Sequence, residues 1–234
     1  MPVSKLPHAF SSSMRHNALA LYSFAVLICA VCILLGGAAQ AVAVQESSAN
    51  SVHLESIRSM GGSAAAYAAE GDYLFVGQGA GIAVINVSVP NNPVEIAHYG
   101  PLDGAVQHIA VQDHILYAAL GESGLAIIDA ATPTTMKTLA RYPAHRTTYV
   151  AVDGKRVYLA DNEDRLLRLV DVRKPAAPTL LGTFAPNASV RAMSVAGNRV
   201  FLSLSTYGLQ IVDVTDPASP KSVAHHTSLM TSQA

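Results

Sequence analysis

Read as a pattern of apolar and polar positions, the chain repeats itself four times. The runs Ile82-Ala83-Val84-Ile85, Leu125-Ala126-Ile127-Ile128, Leu167-Arg168-Leu169-Val170 and Leu209-Gln210-Ile211-Val212 end on Asn86, Asp129, Asp171 and Asp213, and Pro90, Pro133, Pro175 and Pro217 follow four residues later. The markers stand 43, 42 and 42 residues apart. Short apolar runs rich in β-branched residues and bounded by turn formers predict strands, not helices. A further strand precedes each of them, at Tyr73–Val76, Ile115–Ala118, Val157–Ala160 and Val200–Ser203. In front of that strand lies a tight turn: Glu70-Gly71, Gln112-Asp113, Asp153-Gly154 or Ala196-Gly197. Gly in three of the four supplies the positive φ of a two-residue hairpin. A first strand leads into the turn, as in Val106–Val111 and Tyr149–Val152. A fourth follows the Pro turn, at Val94–Ala97, Thr138–Arg141, Thr179–Gly182 and Ser222–His225.

Four antiparallel strands in a unit of about 42 residues make a propeller blade. The predicted fold is all-β: a β-propeller-like array of four four-stranded antiparallel blades, preceded by one N-terminal apolar helix. The recurring Gly, apolar strand, Asp and Pro-x-x-Pro resemble the LVIVD-repeat family over residues 61–228, in units of about 61–103, 104–144, 145–187 and 188–228. Unit two departs from the motif with Met136 in place of the second Pro, and unit three with Leu166 in place of the Gly. A Trp-Asp propeller is a poorer match, because the chain contains no Trp, and in a kelch propeller the Gly61-Gly62 doublet would recur. The resemblance implies the fold and often an exported location; it brings no established active site.

Composition agrees with stacked sheets. Half the residues are hydrophobic, 13% are charged, and the mean hydropathy is +0.31. Such sparse charge requires sheets buried on both faces, or a membrane segment. Both are expected here. Met1–Asn17 carries Lys5 and Arg15 and no acid, and Ala18–Ala39 is apolar apart from Ser23. Residues 1–43 therefore read as an export signal, either cleaved at Ala39-Gln40-Ala41 or Ala41-Val42-Ala43, or retained as an anchor. In both cases the repeats lie outside the cytoplasm, secreted or anchored, and the membrane is contacted only through this segment. Both cysteines, Cys29 and Cys32, lie inside it. Residues 44–60 read as a linker that includes a stray strand, Leu54–Arg58, and residues 229–234 as a tail. The net charge of −1 offers no field for nucleic acid.

Two ring arrangements follow. The units close as a four-bladed ring, or they form part of one, with apolar end faces that favour self-association. The surplus strand at Leu54–Arg58 favours the second.

Features that recur in every unit belong to the scaffold, and departures from the repeat mark candidate sites. Asn86, Asp129, Asp171 and Asp213 form a ladder of turn-formers, each placed to accept N–H bonds from the turn that follows. The loop after the second strand of unit three, Asp161-Asn162-Glu163-Asp164-Arg165, departs from its counterparts with three carboxylates. With His145 and Arg146 of the preceding inter-blade loop it is the candidate binding face, because loops after strands two and four share one end of an antiparallel blade. The acids lack the ligand spacing and turn Gly of a calcium loop. The histidines lack metal-ligand spacing, and nucleophile and phosphate-loop motifs are missing. No cofactor and no metal is therefore expected. The function expected is a non-catalytic binding scaffold for a protein or surface glycan. The alternatives are a propeller-type hydrolase or lyase using Asp161, Glu163 and Asp164, and a truncated fragment of a larger propeller.

Overall fold

A computed structural model describes residues 66–227. The N-terminal segment, the linker with its stray strand, and residues 228–234 lie outside the described residues. Among the described residues no helix is long and apolar enough to cross a membrane. The strands form four antiparallel sheets of four, each a meander in chain order. Blade 1 comprises β1 (Ala66–Glu70), β2 (Tyr73–Gln78), β3 (Gly81–Asn86) and β4 (Val94–Tyr99). Blade 2 comprises β5 (His108–Gln112), β6 (Ile115–Ala119), β7 (Leu125–Asp129) and β8 (Lys137–Tyr142). Blade 3 comprises β9 (Thr147–Asp153), β10 (Arg156–Asp161), β11 (Leu166–Asp171) and β12 (Thr179–Phe184). Blade 4 comprises β13 (Val190–Ala196), β14 (Arg199–Leu204), β15 (Gly208–Asp213) and β16 (Lys221–His226).

The first hairpin of each blade is tight, for the reason given above, although its loop sits one residue later than expected. Glu70 pairs with Tyr73, so the loop is Gly71-Asp72. In blade 2 the loop is Asp113-His114, and both residues take positive φ, 53° and 61°. Two positive φ values in a two-residue loop define the mirror-image turn whose twist matches its strands. The structure adds a feature with no counterpart in the sequence pattern. The outermost strand of every blade shifts register opposite the same pair, at Val84/Ile85, Ile127/Ile128, Leu169/Val170 and Ile211/Val212. A bulge at a fixed position adds the same twist to each blade.

Successive blades stack face to face. One face of blade 1, with Phe75, Ile82 and Val84, packs on Leu116, Ala118, Ala126 and Ile128 of blade 2. The other face of blade 2, with Tyr117, Leu125 and Ile127, packs on Val157, Leu159 and Val170 of blade 3. Blade 3 repeats the contact, placing Tyr158, Leu167 and Leu169 on Val200, Leu202 and Val212. The innermost strands follow the same order, β1 against β5, β5 against β9 and β9 against β13. No comparable contact joins β13 to β1. The forward face of blade 4 records this: Leu209 is 38% exposed, whereas its counterparts Ile82, Leu125 and Leu167 are 0% exposed.

The difference predicts unequal costs for equivalent substitutions. Leu167→Ala should cost about 2–5 kcal/mol, the usual range for a buried leucine. Leu209→Ala should cost under about 1 kcal/mol. Urea unfolding of the two variants measures both; equal losses would mean that the face of blade 4 is covered as fully as that of blade 3.

Candidate functional site

At every rung of the turn ladder the side chain accepts the N–H two residues on: Asn86 from Ser88 (2.9 Å), Asp129 from Ala131 (3.0 Å), Asp171 from Arg173 (2.9 Å) and Asp213 from Thr215 (2.9 Å). Asp171 also accepts from the Arg173 guanidinium, Nε to Oδ2 2.8 Å. The Arg173 side-chain and backbone bonds hold the Asp171 carboxyl below the ordinary carboxylate range, and the Thr215 hydrogen bonds do the same for Asp213. These four residues lie apart, one per blade, at the end opposite the loop of unit three.

The structure brings the candidate face together. Asp161 ends β10, and its register places it where blades 2 and 4 carry Leu120 and Leu204, both buried. It is only 1% exposed. A carboxylate there requires donors on both oxygens, and it has them. The backbone N–H groups of His145 (3.0 Å), Arg146 (3.2 Å), Glu163 (3.3 Å) and Asp164 (3.2 Å) all point at it, and Arg168 adds Nε and a terminal nitrogen at 3.4 Å. Burial pushes the Asp161 pKa up, but the N–H groups of Asp164, His145 and Arg146 and the Arg168 charge outweigh it and hold the carboxyl below its ordinary value. Arg168 also binds Asp164, whose other oxygen meets His145 Nδ1 at 2.8 Å. That hydrogen bond, with the charge of Asp164, holds the His145 pKa above the ordinary imidazole value.

Asn162 takes a different task. Its Nδ2 donates to Thr148 Oγ1 (2.8 Å) and to the Val190 carbonyl (3.0 Å), and its Oδ1 accepts the Val190 N–H (2.9 Å). In blade 2 the backbone of Gly121 makes the equivalent bridge to Thr147, at 3.1 and 3.0 Å. The side chain of Asn162 thus replaces a backbone link between successive blades. Arg165 closes the loop with φ 54°. In blade 2 the positive φ falls one position later, on Gly124, where a Cβ would collide with the Tyr142 carbonyl. Moving it to Arg165 lets Leu166 stand where the other units have Gly, at the cost of about 1 kcal/mol of left-handed strain.

His145, Arg146, Glu163 and Arg165 remain exposed. An open depression of about 480 Å³ lies beside them, lined by Glu122, Ser123, Pro143, Ala144, His145 and Arg168. Glu122 and Ser123, from the corresponding loop of blade 2, were not singled out in the sequence; their place in the repeat was the available signal. Among the described residues no group of three His, Cys, Asp or Glu is arranged to hold a metal ion. Chemically the face can offer hydrogen bonds of both polarities and one imidazole oriented by a carboxylate.

The LVIVD repeat matches the chain four times, over residues 61–100, 103–143, 146–185 and 188–227. The chain belongs to the LVIVD-repeat family. Its described part is all-β and propeller-like. Among solved structures it is similar to the computationally designed Ika4 protein, at 14% identity and a TM-score of 0.52, covering 67% of this chain and 94% of that one. That likeness concerns the fold alone. No curated protein matches the chain.

Asp161→Leu should be far more damaging than Asp213→Ala. It restores the residue of blades 2 and 4 but leaves four N–H groups without an acceptor and Arg168 with Asp164 alone. The expected losses are about 3–5 kcal/mol for the buried group and about 1 kcal/mol for the turn, read from denaturant unfolding. Since the Asp161 pKa is depressed on folding, its contribution is complete above the unfolded value of about 3.9. It drains away as the pH falls through the lower folded value. Asp164→Asn should bring the His145 pKa down toward about 6.5, which an NMR titration of the ring detects.

Proposed function

We propose that the chain is an exported, non-catalytic repeat scaffold whose loop face binds a protein or a surface glycan through His145, Arg146, Glu163 and Arg165. One observation carries the reading. The polar side chains at the base of this loop are spent on shape: Asp161 on four N–H groups and Arg168, Asn162 on the next blade. A loop fixed in this way presents its exposed charges with little ordering entropy left to lose on binding. Polar, hydrogen-bonding and shallow, the face suits a hydroxyl-rich or protein surface better than a small apolar ligand. The apolar N-terminal segment supports export, as secretion or as anchoring.

A second reading, a hydrolase or lyase, is favoured by one feature. Asp164 holds His145 Nδ1 and leaves the other ring nitrogen available beside the depression, as a general base requires. Asp161 is unsuited to the acid–base part, since its oxygens are already engaged.

The double variant Glu163→Lys/Arg165→Glu, screened beside the parent on an array of surface glycans and immobilised surface proteins, tests the reading. The scaffold account expects a ligand of the parent to be lost at least tenfold (about 1.4 kcal/mol), with the melting curve unchanged. Retained binding would remove this face from the account. Turnover of an arrayed glycan that His145→Ala abolishes would establish the enzyme instead.

A further inference from the structure

The four blades differ in what covers their forward faces. At equivalent positions of the second and third strands, blades 1, 2 and 3 carry Phe75, Tyr117 and Tyr158, then Ile82, Leu125 and Leu167, then Val84, Ile127 and Leu169. All nine are at most 3% exposed. Blade 4 carries Phe201, Leu209 and Ile211, which are half-buried or exposed. Their residue types are those of a buried face, although no blade among the described residues follows. A sheet with one face in water alternates polar with apolar residues, and here Phe201, Leu209 and Ile211 interrupt that alternation at the centre of the face. Other positions differ: Ser203 stands where blades 1, 2 and 3 have Gly77, Ala119 and Ala160, and Ser194 where blade 1 has Ala68. The Arg199–Asp213 pair (3.6 Å) borders the patch. An apolar centre with small hydroxyls and a charged rim has the composition of an interface that is exposed part of the time.

We infer that the forward face of blade 4 is a self-association surface, covered by the same face of a second copy of this chain. The occupant follows from the two ends of the array. At the blade 1 end the corresponding residues Val76, Ala83 and Ile85 are buried, so the open apolar face belongs to blade 4. A contact that uses one surface twice is isologous, and it closes as a two-fold dimer instead of growing into a filament. Its size sets its strength. Four strands about 4.8 Å apart, with six residues rising about 3.4 Å each, give a face of roughly 400 Å². That is small beside the roughly 800 Å² per partner of a standard stable interface, so the dimer should exchange readily with monomer.

The experiment is sedimentation velocity of the full chain across a concentration series, in a mild detergent that keeps the apolar N-terminal segment in solution. The parent should pass from monomer to dimer as concentration rises. Leu209→Glu should raise the dissociation constant at least tenfold while leaving the β-sheet circular dichroism unchanged, because Leu209 is already partly exposed. Leu209→Ser serves the same purpose if the acid unsettles the blade. Leu180→Glu is the control, an exposed leucine on β12 away from the patch, and should associate like the parent. A parent that stays monomeric throughout, or a dimer equally stable with Leu209→Glu, would overturn the inference. So would a monomer in which hydrogen exchange finds the Phe201 and Leu209 strands protected by the chain's own segment.

Discussion

The packing of one blade's forward face onto the backward face of the next is the interaction on which the remaining structure depends. It explains the composition: a third strand such as Leu125–Ile128 can be apolar at four consecutive positions because a blade covers each side of its sheet. It also fixes the form of the array, since each blade is stabilised by its neighbours in sequence and stability becomes a chain of nearest-neighbour terms. The innermost strands and the register shift at a constant position keep that packing in the same geometry from blade to blade. Among the described residues blade 4 is the last of the series. Leu209 and Ile211 then lie on an open face although their residue types match those of covered ones.

Unit three keeps this packing while changing the chemistry at one end of the blade. An acid at a leucine position would ordinarily be intolerable inside the stack. Asp161 is accommodated because the inter-blade loop at His145 and Arg146 and the following hairpin turn all aim N–H groups at it, and because Arg168 replaces the small residue that blades 1 and 2 carry at the matching position, Ala83 and Ala126. Asn162 then carries the inter-blade link that the backbone of Gly121 makes in blade 2. The motif's missing Gly at Leu166 is part of the same rearrangement, since the loop spends its positive φ on Arg165. Three departures from the repeat therefore form one local solution, and its by-product is a rigid, polar loop at the surface.

Much of this was legible in the sequence, for identifiable reasons. A period of about 42 residues and the recurring Asp and Pro fix strand order and blade number, because the same local interactions are written four times. Family membership rests on those residues as well. The hairpin loops were misplaced by one residue, since a Gly at positive φ serves equally as the first or the second residue of the loop. The register shifts left no mark, because any residue accepts a bulge on an exposed outer strand. Asp161 read as one of three loop acids. Only its alignment with Leu120 and Leu204 separates a buried acceptor from a solvated carboxylate, and that alignment depends on the strand register. An open array with apolar end faces was expected, but not that the open end is blade 4: Leu209 and Leu167 are the same residue in the same motif, and only the neighbour differs.

Hydrogen exchange of the third strands, compared blade by blade in dilute solution, tests the central claim most directly. An array held together by successive face-to-face packing predicts slow exchange in β7 and β11, each in a blade packed on both sides, and faster exchange in β15, whose blade has one neighbour. Equal protection of β15, β7 and β11 would contradict a blade 4 that is packed on one side only.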